Sequence, residues 1–206
     1  MQITLLGLGN VGGTLARAWL RAGHELTVGR TTPDTPSPLT GPISVGTTND
    51  ALAAPRDVVV LATPAAAIDQ ILKRHSAQLG DAVIVDATNA LIGPPTNSTN
   101  YQQALHQSEL FRTVLPHAHH HRAFCSTGWE SMSNPGCADV PHAGPAATSG
   151  LVSQLITDAG QRAWWLGDDP DAFDTLDGLA RLWFQLAFSS AANRRIGITI
   201  TDCPAA

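Results

Sequence analysis

Apolar and polar positions fall into short alternating blocks along the chain, and the blocks change period. Ile3-Thr4-Leu5-Leu6 reads as a buried strand, followed by Gly7 to Gly12 and then by helical spacing from Thr14 to Ala22 that stops at Gly23. A second strand, Glu25 to Val28, ends at Gly29-Arg30-Thr31. A third is expected at Ile43 to Val45, and a fourth, β-branched and continuously apolar, at Asp57 to Ala62. Thr63 suits an N-cap and Pro64 a first helical position, for a helix reaching about Leu79 and stopping at Gly80. Ala82 to Asp86 is a fifth strand, a polar loop follows at Gly93 to Asn100, and a helix is predicted from Tyr101 to Leu110. The sixth strand lies within His119 to Cys125, two more near Val140 to Ala143 and Ala163 to Leu166 bracket a helix at Ala146 to Ala159, and a long helix closes the chain at about 170–192. Strands alternating with helices predict an α/β fold with a parallel sheet.

Between the second and third strands a crossover helix is the usual connection. Residues 31–42 carry Pro33, Pro36, Pro38 and Pro42, which rule out a regular helix. An extended loop is expected, either beside the adenine end of a cofactor or as a plain shortened connection.

The strand, glycine turn and helix at residues 3–22 form a dinucleotide-binding start and predict a Rossmann-type, doubly wound, mostly parallel sheet with a long C-terminal helix. Gly7 permits the turn, Gly9 lets the backbone approach a pyrophosphate, and Gly12 lets helix and sheet pack closely, while Leu8, Asn10 and Val11 bring the helix's free N–H groups to the phosphates. Where an NAD site usually has Asp or Glu, this chain has Arg30 and Thr31, and the first carboxylate is Asp34. Arg30 can fork onto a 2′-phosphate, so NADP(H) is the expected cofactor; the other reading of Arg30 is a solvated surface arginine.

Composition narrows the classes. The chain has 206 residues, enough for one core, and a single NADP-binding domain over 1–206 is expected. A formal net charge of −5 argues against a nucleic-acid surface. Lys73 is the sole lysine, and the alanine, glycine and proline content suits a GC-rich coding sequence. Cys125, Cys137 and Cys203 are odd in number and scattered, which suits a reducing compartment rather than a disulfide framework. With a strand starting at residue 3 there is no space for a signal peptide, and no apolar run has membrane-spanning length. A cytoplasmic protein without a membrane partner is expected.

Several segments resemble the coenzyme F420-dependent NADP oxidoreductase family, the small NADPH-dependent Rossmann reductases. Val58 to Pro64 looks like the family's fourth strand, and Val85-Asp86-Ala87-Thr88-Asn89 like its fifth, with a similar Asp-x-Thr-Asn end. The most specific stretch is Arg122-Ala123-Phe124-Cys125-Ser126-Thr127-Gly128-Trp129-Glu130, continuing to Asn134-Pro135, and Leu182 to Phe188 resembles the closing helix. The resemblance implies hydride transfer between NADP(H) and a deazaflavin (F420), a flavin or a small unsaturated metabolite, in a homodimer. The chain departs from relatives at Cys125, where Asn is usual, at Gln185, near an expected His, at Ala90, where Pro is common, and in the histidine-rich strand before Arg122. These departures point to an altered acceptor pocket and leave open a non-catalytic NADP-binding sensor or assembly protein. The large helical second domain of imine-reducing Rossmann enzymes does not fit within this length.

Ligands of an open parallel sheet sit beyond the carboxyl ends of its strands. The resemblance puts Thr63 and Pro64 beside the nicotinamide ribose. Asn89 is expected either to hold the ribose or carboxamide, or to turn on its own backbone. Cys125, Ser126, Thr127 and Trp129 are the acceptor-pocket candidates. Ser126 or Thr127 also suits an N-cap, Trp129 a stacking platform or core, and Cys125 a proton donor or filler. No general acid is identifiable, so the catalytic residues stay unknown. His117, His119 and His121 share one strand face on alternation, a pattern able to bind zinc. His121, the nearest of them, lies roughly 13 Å from Cys125 at strand rise, so no catalytic metal is expected.

Overall fold

The computed structural model describes residues 1–37, 39–93, 104–189 and 194–201. The chain runs β1 (Gln2–Leu6), α1 (Asn10–Arg21), β2 (Glu25–Gly29), β3 (Ile43–Gly46), α2 (Thr48–Ala53), β4 (Val58–Leu61), α3 (Ile68–Arg74), α4 (Ser76–Leu79) and β5 (Val83–Asp86). It continues through α5 (Ser108–Val114), β6 (His119–Arg122), α6 (Trp129–Met132), β7 (Asp139–His142), α7 (Ala146–Asp158), β8 (Arg162–Trp165) and α8 (Pro170–Ser189). Six strands form one parallel sheet in the order β3-β2-β1-β4-β5-β6. This is the Rossmann order, with the switch between β1 and β4.

The continuously apolar β4 shows why the sheet is covered on both faces. Val58 and Val60 join the cluster under α1 and α7, with Leu15, Trp19 and Leu155. Val59 and Leu61 join the opposite cluster, with Leu52, Leu72, Leu79 and Phe111 from α2 to α5. Alternation by one residue sends neighbouring side chains to opposite faces, so a strand buried on both sides has to be apolar throughout. Trp19 ties the first layer by donating its indole N–H to the Leu155 carbonyl at 2.9 Å.

β7 and β8 form a separate two-stranded parallel sheet, joined through α7. It meets the main sheet through one antiparallel bridge, Arg122 with Ala143.

Several expected boundaries shift for local reasons. Thr63 does not cap a helix: Pro64 takes the N-cap position of a single 3-10 turn at Ala65–Ala67, with no side-chain cap. The helix expected to reach Leu79 breaks at His75 into α3 and α4, and the His75 ring pairs with Gln78 Oε1 at 2.8 Å. The helix expected from Tyr101 to Leu110 begins only at Ser108. Ahead of it, the backbone N–H groups of Leu105 and His106 donate to Asp177 Oδ2 at 2.6 and 3.2 Å, so they are not available to a helix. Residues 101–103, most of the expected loop at 93–100, and the end of the closing helix beyond Ser189 lie outside the described residues. α2, which the sequence pattern left unassigned, starts with a capping box in which Thr47 and Asp50 exchange side-chain and backbone bonds. The described residues of the segment at 31–42 form no helix, and Leu39 turns inward to the main core.

Candidate active site

The glycine turn sits at the carboxyl end of β1, against the end of β4. Gly7 has φ +98°, and a Cβ there would lie 2.6 Å from the Ala62 carbonyl oxygen. A Cβ on Gly12 would lie 2.2 Å from the Gly7 carbonyl oxygen, so α1 approaches the turn as closely as backbones allow. A Cβ on Gly9 would meet nothing within 4 Å, so the space above it faces outward. Gly9 is the N-cap of α1, no side chain caps that end, and no acid lies in the first turn. A twelve-residue helix thus presents uncapped N–H groups and its positive end beside a bare glycine. These are the features a pyrophosphate needs.

A cavity of about 770 Å³ opens from that turn. Gly7, Leu8 and Gly9 form its floor, Arg30, Thr31 and Thr32 one side, and Thr63 and Pro64 the other. No Asp or Glu lines it. The Arg30 backbone N–H donates to Gly46 O at 3.0 Å, and its Nη1 donates to Thr35 O at 2.9 Å, holding the proline-rich segment against the site. Arg30, Thr31 and Thr32 thus bring a cation and hydroxyls together with no acid beside them, a donor set that fits a phosphorylated dinucleotide. A smaller cavity of about 260 Å³, lined by Leu8, Asn10, Arg17, Arg30, Pro36 and Trp129 among others, lies on the other side of the turn. Trp129 is therefore placed beside the glycine turn and the proline-rich segment.

The ends of β5 and β6 are held by a buried charge network that no sequence motif announced. Arg122 is fully buried. It donates Nη1 to Thr88 O and Nη2 to Asn89 Oδ1, both at 2.7 Å, and its Nη2 lies 3.0 Å from Asp177 Oδ1 on α8. Asp86 Oδ2 is 3.9 Å away, and burial pushes the Asp86 carboxyl up against the pull of Arg122. Asn89 also donates Nδ2 to the Cys125 carbonyl at 2.9 Å. Both ends of its amide thus stitch β5 to β6.

Past β6 the backbone turns sharply. Phe124 has φ 60°, the only non-glycine in the left-handed region among the described residues, and it packs edge-on against Trp19. The turn sends Cys125 into a cluster with Ala143, Phe173 and Leu176, where burial raises the thiol above its ordinary range. Ser126 and Thr127 are buried, and Thr127 Oγ1 has no partner, like Thr63 Oγ1 beyond the end of β4, two strands away. Neither Ser126 nor Thr127 caps α6, whose N-cap is Gly128.

The histidines divide. His119 and His121 share a face of β6 and contact Thr148 Oγ1 at 3.3 and 2.7 Å, while His120 points the other way and stacks on Phe111 at 3.8 Å. His117 precedes the strand, so the expected face of three holds two. Among the described residues no group of three or more His, Cys, Asp or Glu is arranged to hold a metal.

The fold and the glycine turn define a Rossmann-type nucleotide-dependent protein. Residues 2–90 match the sequence profile of a family described as NADP oxidoreductase, coenzyme F420-dependent. The chain resembles that family, and it is an NADP-dependent oxidoreductase. A protein from Arthrobacter sp. FB24, provisionally described as an F420-dependent NADP-reductase, superposes with a TM-score of 0.81 at 25% identity, covering 98% of this chain and 100% of that one. A hypothetical protein from Sinorhizobium meliloti gives 0.70 at 23% identity, covering 82% and 85%. A reductive aminase from Aspergillus terreus, in complex with NADPH and ethyl levulinate, gives 0.68 at 22% identity, covering 91% of this chain and 62% of that one. The last two share the fold. No curated protein matches the sequence. Among the described residues no helix is long and apolar enough to cross a membrane.

Proposed function

We propose that the chain binds NADPH across the carboxyl ends of its strands and reduces a flat, ring-type acceptor, a deazaflavin or flavin, at the Ser126-Thr127 side. The observation that carries this reading is the carboxylate-free cavity joining the α1 N-terminus to Arg30. In it the α1 N–H groups hold the pyrophosphate, Arg30 and Thr31 hold the 2′-phosphate, and Thr63 and Pro64 flank the nicotinamide ribose. Bound NADPH supplies a hydride. The chain's own task is to present the acceptor face to face at the right distance and to keep water out.

A ring acceptor is favoured over an imine or carbonyl because the latter also needs a proton source. Cys125 packs among apolar side chains, and Asn89 is spent on Arg122 and the Cys125 carbonyl. We assign the buried, unpartnered Thr127 hydroxyl to the acceptor or the carboxamide. We also propose a homodimer through α8, where Leu182 and Leu186 remain 49% and 36% exposed; light scattering that finds only monomer at micromolar concentration removes this part.

The test of function is loss of NADPH absorbance with F420, FMN and a panel of imines and carbonyls. Turnover with F420 or FMN is the expected result. Turnover confined to imines or carbonyls overturns the ring-acceptor assignment.

A further inference from the structure

The cavity over the glycine turn has two long walls. The end of β2 and the start of α2 form one, with Arg30, Thr31 and Asn49; the 3-10 turn and α3 form the other, with Ala67 from the turn and Ile71 and Arg74 from the helix. The order β2-β1-β4 sets these walls on either side of β1. Ala67 and Ile71 offer an apolar surface for a base. Arg74 lies about one helical turn beyond Ile71, on the same face.

Nothing nearby neutralises Arg74. Among the described residues no carboxylate pairs with it, and Asp69, the acid on its own helix, pairs with Lys73 at 2.8 Å. Asp50 at the start of α2 is engaged by Thr47, whose backbone N–H and hydroxyl donate to Oδ2 at 3.0 and 2.6 Å. Those bonds hold the Asp50 carboxyl below its ordinary range. A chain with net charge −5 has therefore placed two guanidinium groups, and no acid, on one cavity. Arg30 also has part of its fork tied to Thr35 O.

Resting on the NADP(H) reading above, we infer that Arg74 is a second cation for the cofactor's 2′-phosphate, reaching it from α3 while Arg30 holds it from β2. A planar guanidinium gives forked, charge-assisted contacts to phosphate oxygens, and two of them from opposite walls select the phosphorylated dinucleotide.

The test uses the full chain and four probes: NADPH, NADH, adenosine 2′,5′-bisphosphate and 5′-AMP. Arg74→Met keeps the stem and removes the charge; Arg74→Lys restores a charge. Unliganded melting curves confirm that both variants fold. Arg74→Met is expected to weaken NADPH and the bisphosphate about tenfold, the loss of one charged contact, with NADH and 5′-AMP changed less than about twofold. Arg74→Lys is expected to recover most of the lost affinity. Equal losses for all four probes mean that Arg74 stacks on the base, and no loss means that it serves only the negative end of α3; either overturns the inference while leaving the Arg30 reading intact. A wild-type chain that binds the bisphosphate no better than 5′-AMP removes the phosphate reading of the whole cavity, and Arg74 with it.

Discussion

Arg30 and Arg122 are the same residue type in opposite settings, and the settings decide what each does. Arg30 lines an open cavity, with one terminal nitrogen on Thr35 O and its remaining donors available to a ligand. Arg30→Ala is expected to weaken NADPH by about 1.5–3 kcal/mol, the value of a hydrogen bond to a charged group, while NADH changes little. Isothermal titration with both cofactors checks this; equal weakening argues against phosphate recognition. Arg122 is fully buried between Asp86, Asp177, Thr88 and Asn89. Removing one partner of a buried ion pair strands the others without compensation, so Arg122→Met is expected to cost about 3–5 kcal/mol in urea denaturation. A cost under about 1 kcal/mol would show that the carboxylates simply take up protons in its absence.

At the scale of elements, β6, β7 and α7 meet over a pair of histidines. His121 and His142 rings lie 6.0 Å apart, with Nε2 atoms on Thr148 at 2.7 Å and Ser153 at 2.9 Å, both hydroxyls of α7. Burial, with the His142 and His119 charges next, lowers His121 to about 3; burial lowers His142 to about 4. Both rings are neutral in the fold, and the unfolded chain binds protons more readily below its ordinary histidine value of 6.5. Stability from this contact is therefore complete above that value and declines as pH falls toward 4, the range between the unfolded and folded values. Melting curves across that range are expected to drop steeply for the wild type and less steeply for His121→Gln/His142→Gln, which retains a side-chain amide for each hydroxyl. Parallel curves would place the acid sensitivity elsewhere. The same packing gives His119, His120 and His121 their actual partners. Alternation fixes which side chains share a face, but not that α7 covers that face with hydroxyls or that Phe111 occupies the other.

Across the whole molecule, legibility follows the distance over which a feature is determined. β1, the glycine turn, α1 and β2 were readable because neighbouring residues make them: a turn that only glycine can take, an apolar helix face and a buried strand within the first thirty positions. The missing acid after β2, and with it the choice of NADP(H), was readable for the same reason. The far wall of the cavity was not, because α3 reaches it only through the strand order around β1. Nor was the Arg122 network, because Asp177 arrives from the last helix and an arginine is ordinarily a surface residue. That late carboxylate also captured the backbone of Leu105 and His106 and displaced the start of α5. The sequence by itself thus determined the fold class and the cofactor class, since both are encoded in local backbone geometry and in which residue types follow the first two strands. Only the tertiary structure decided which buried charges face each other and which cation shares the cavity with Arg30, since burial and pairing between distant segments exist only once the sheet has brought them together.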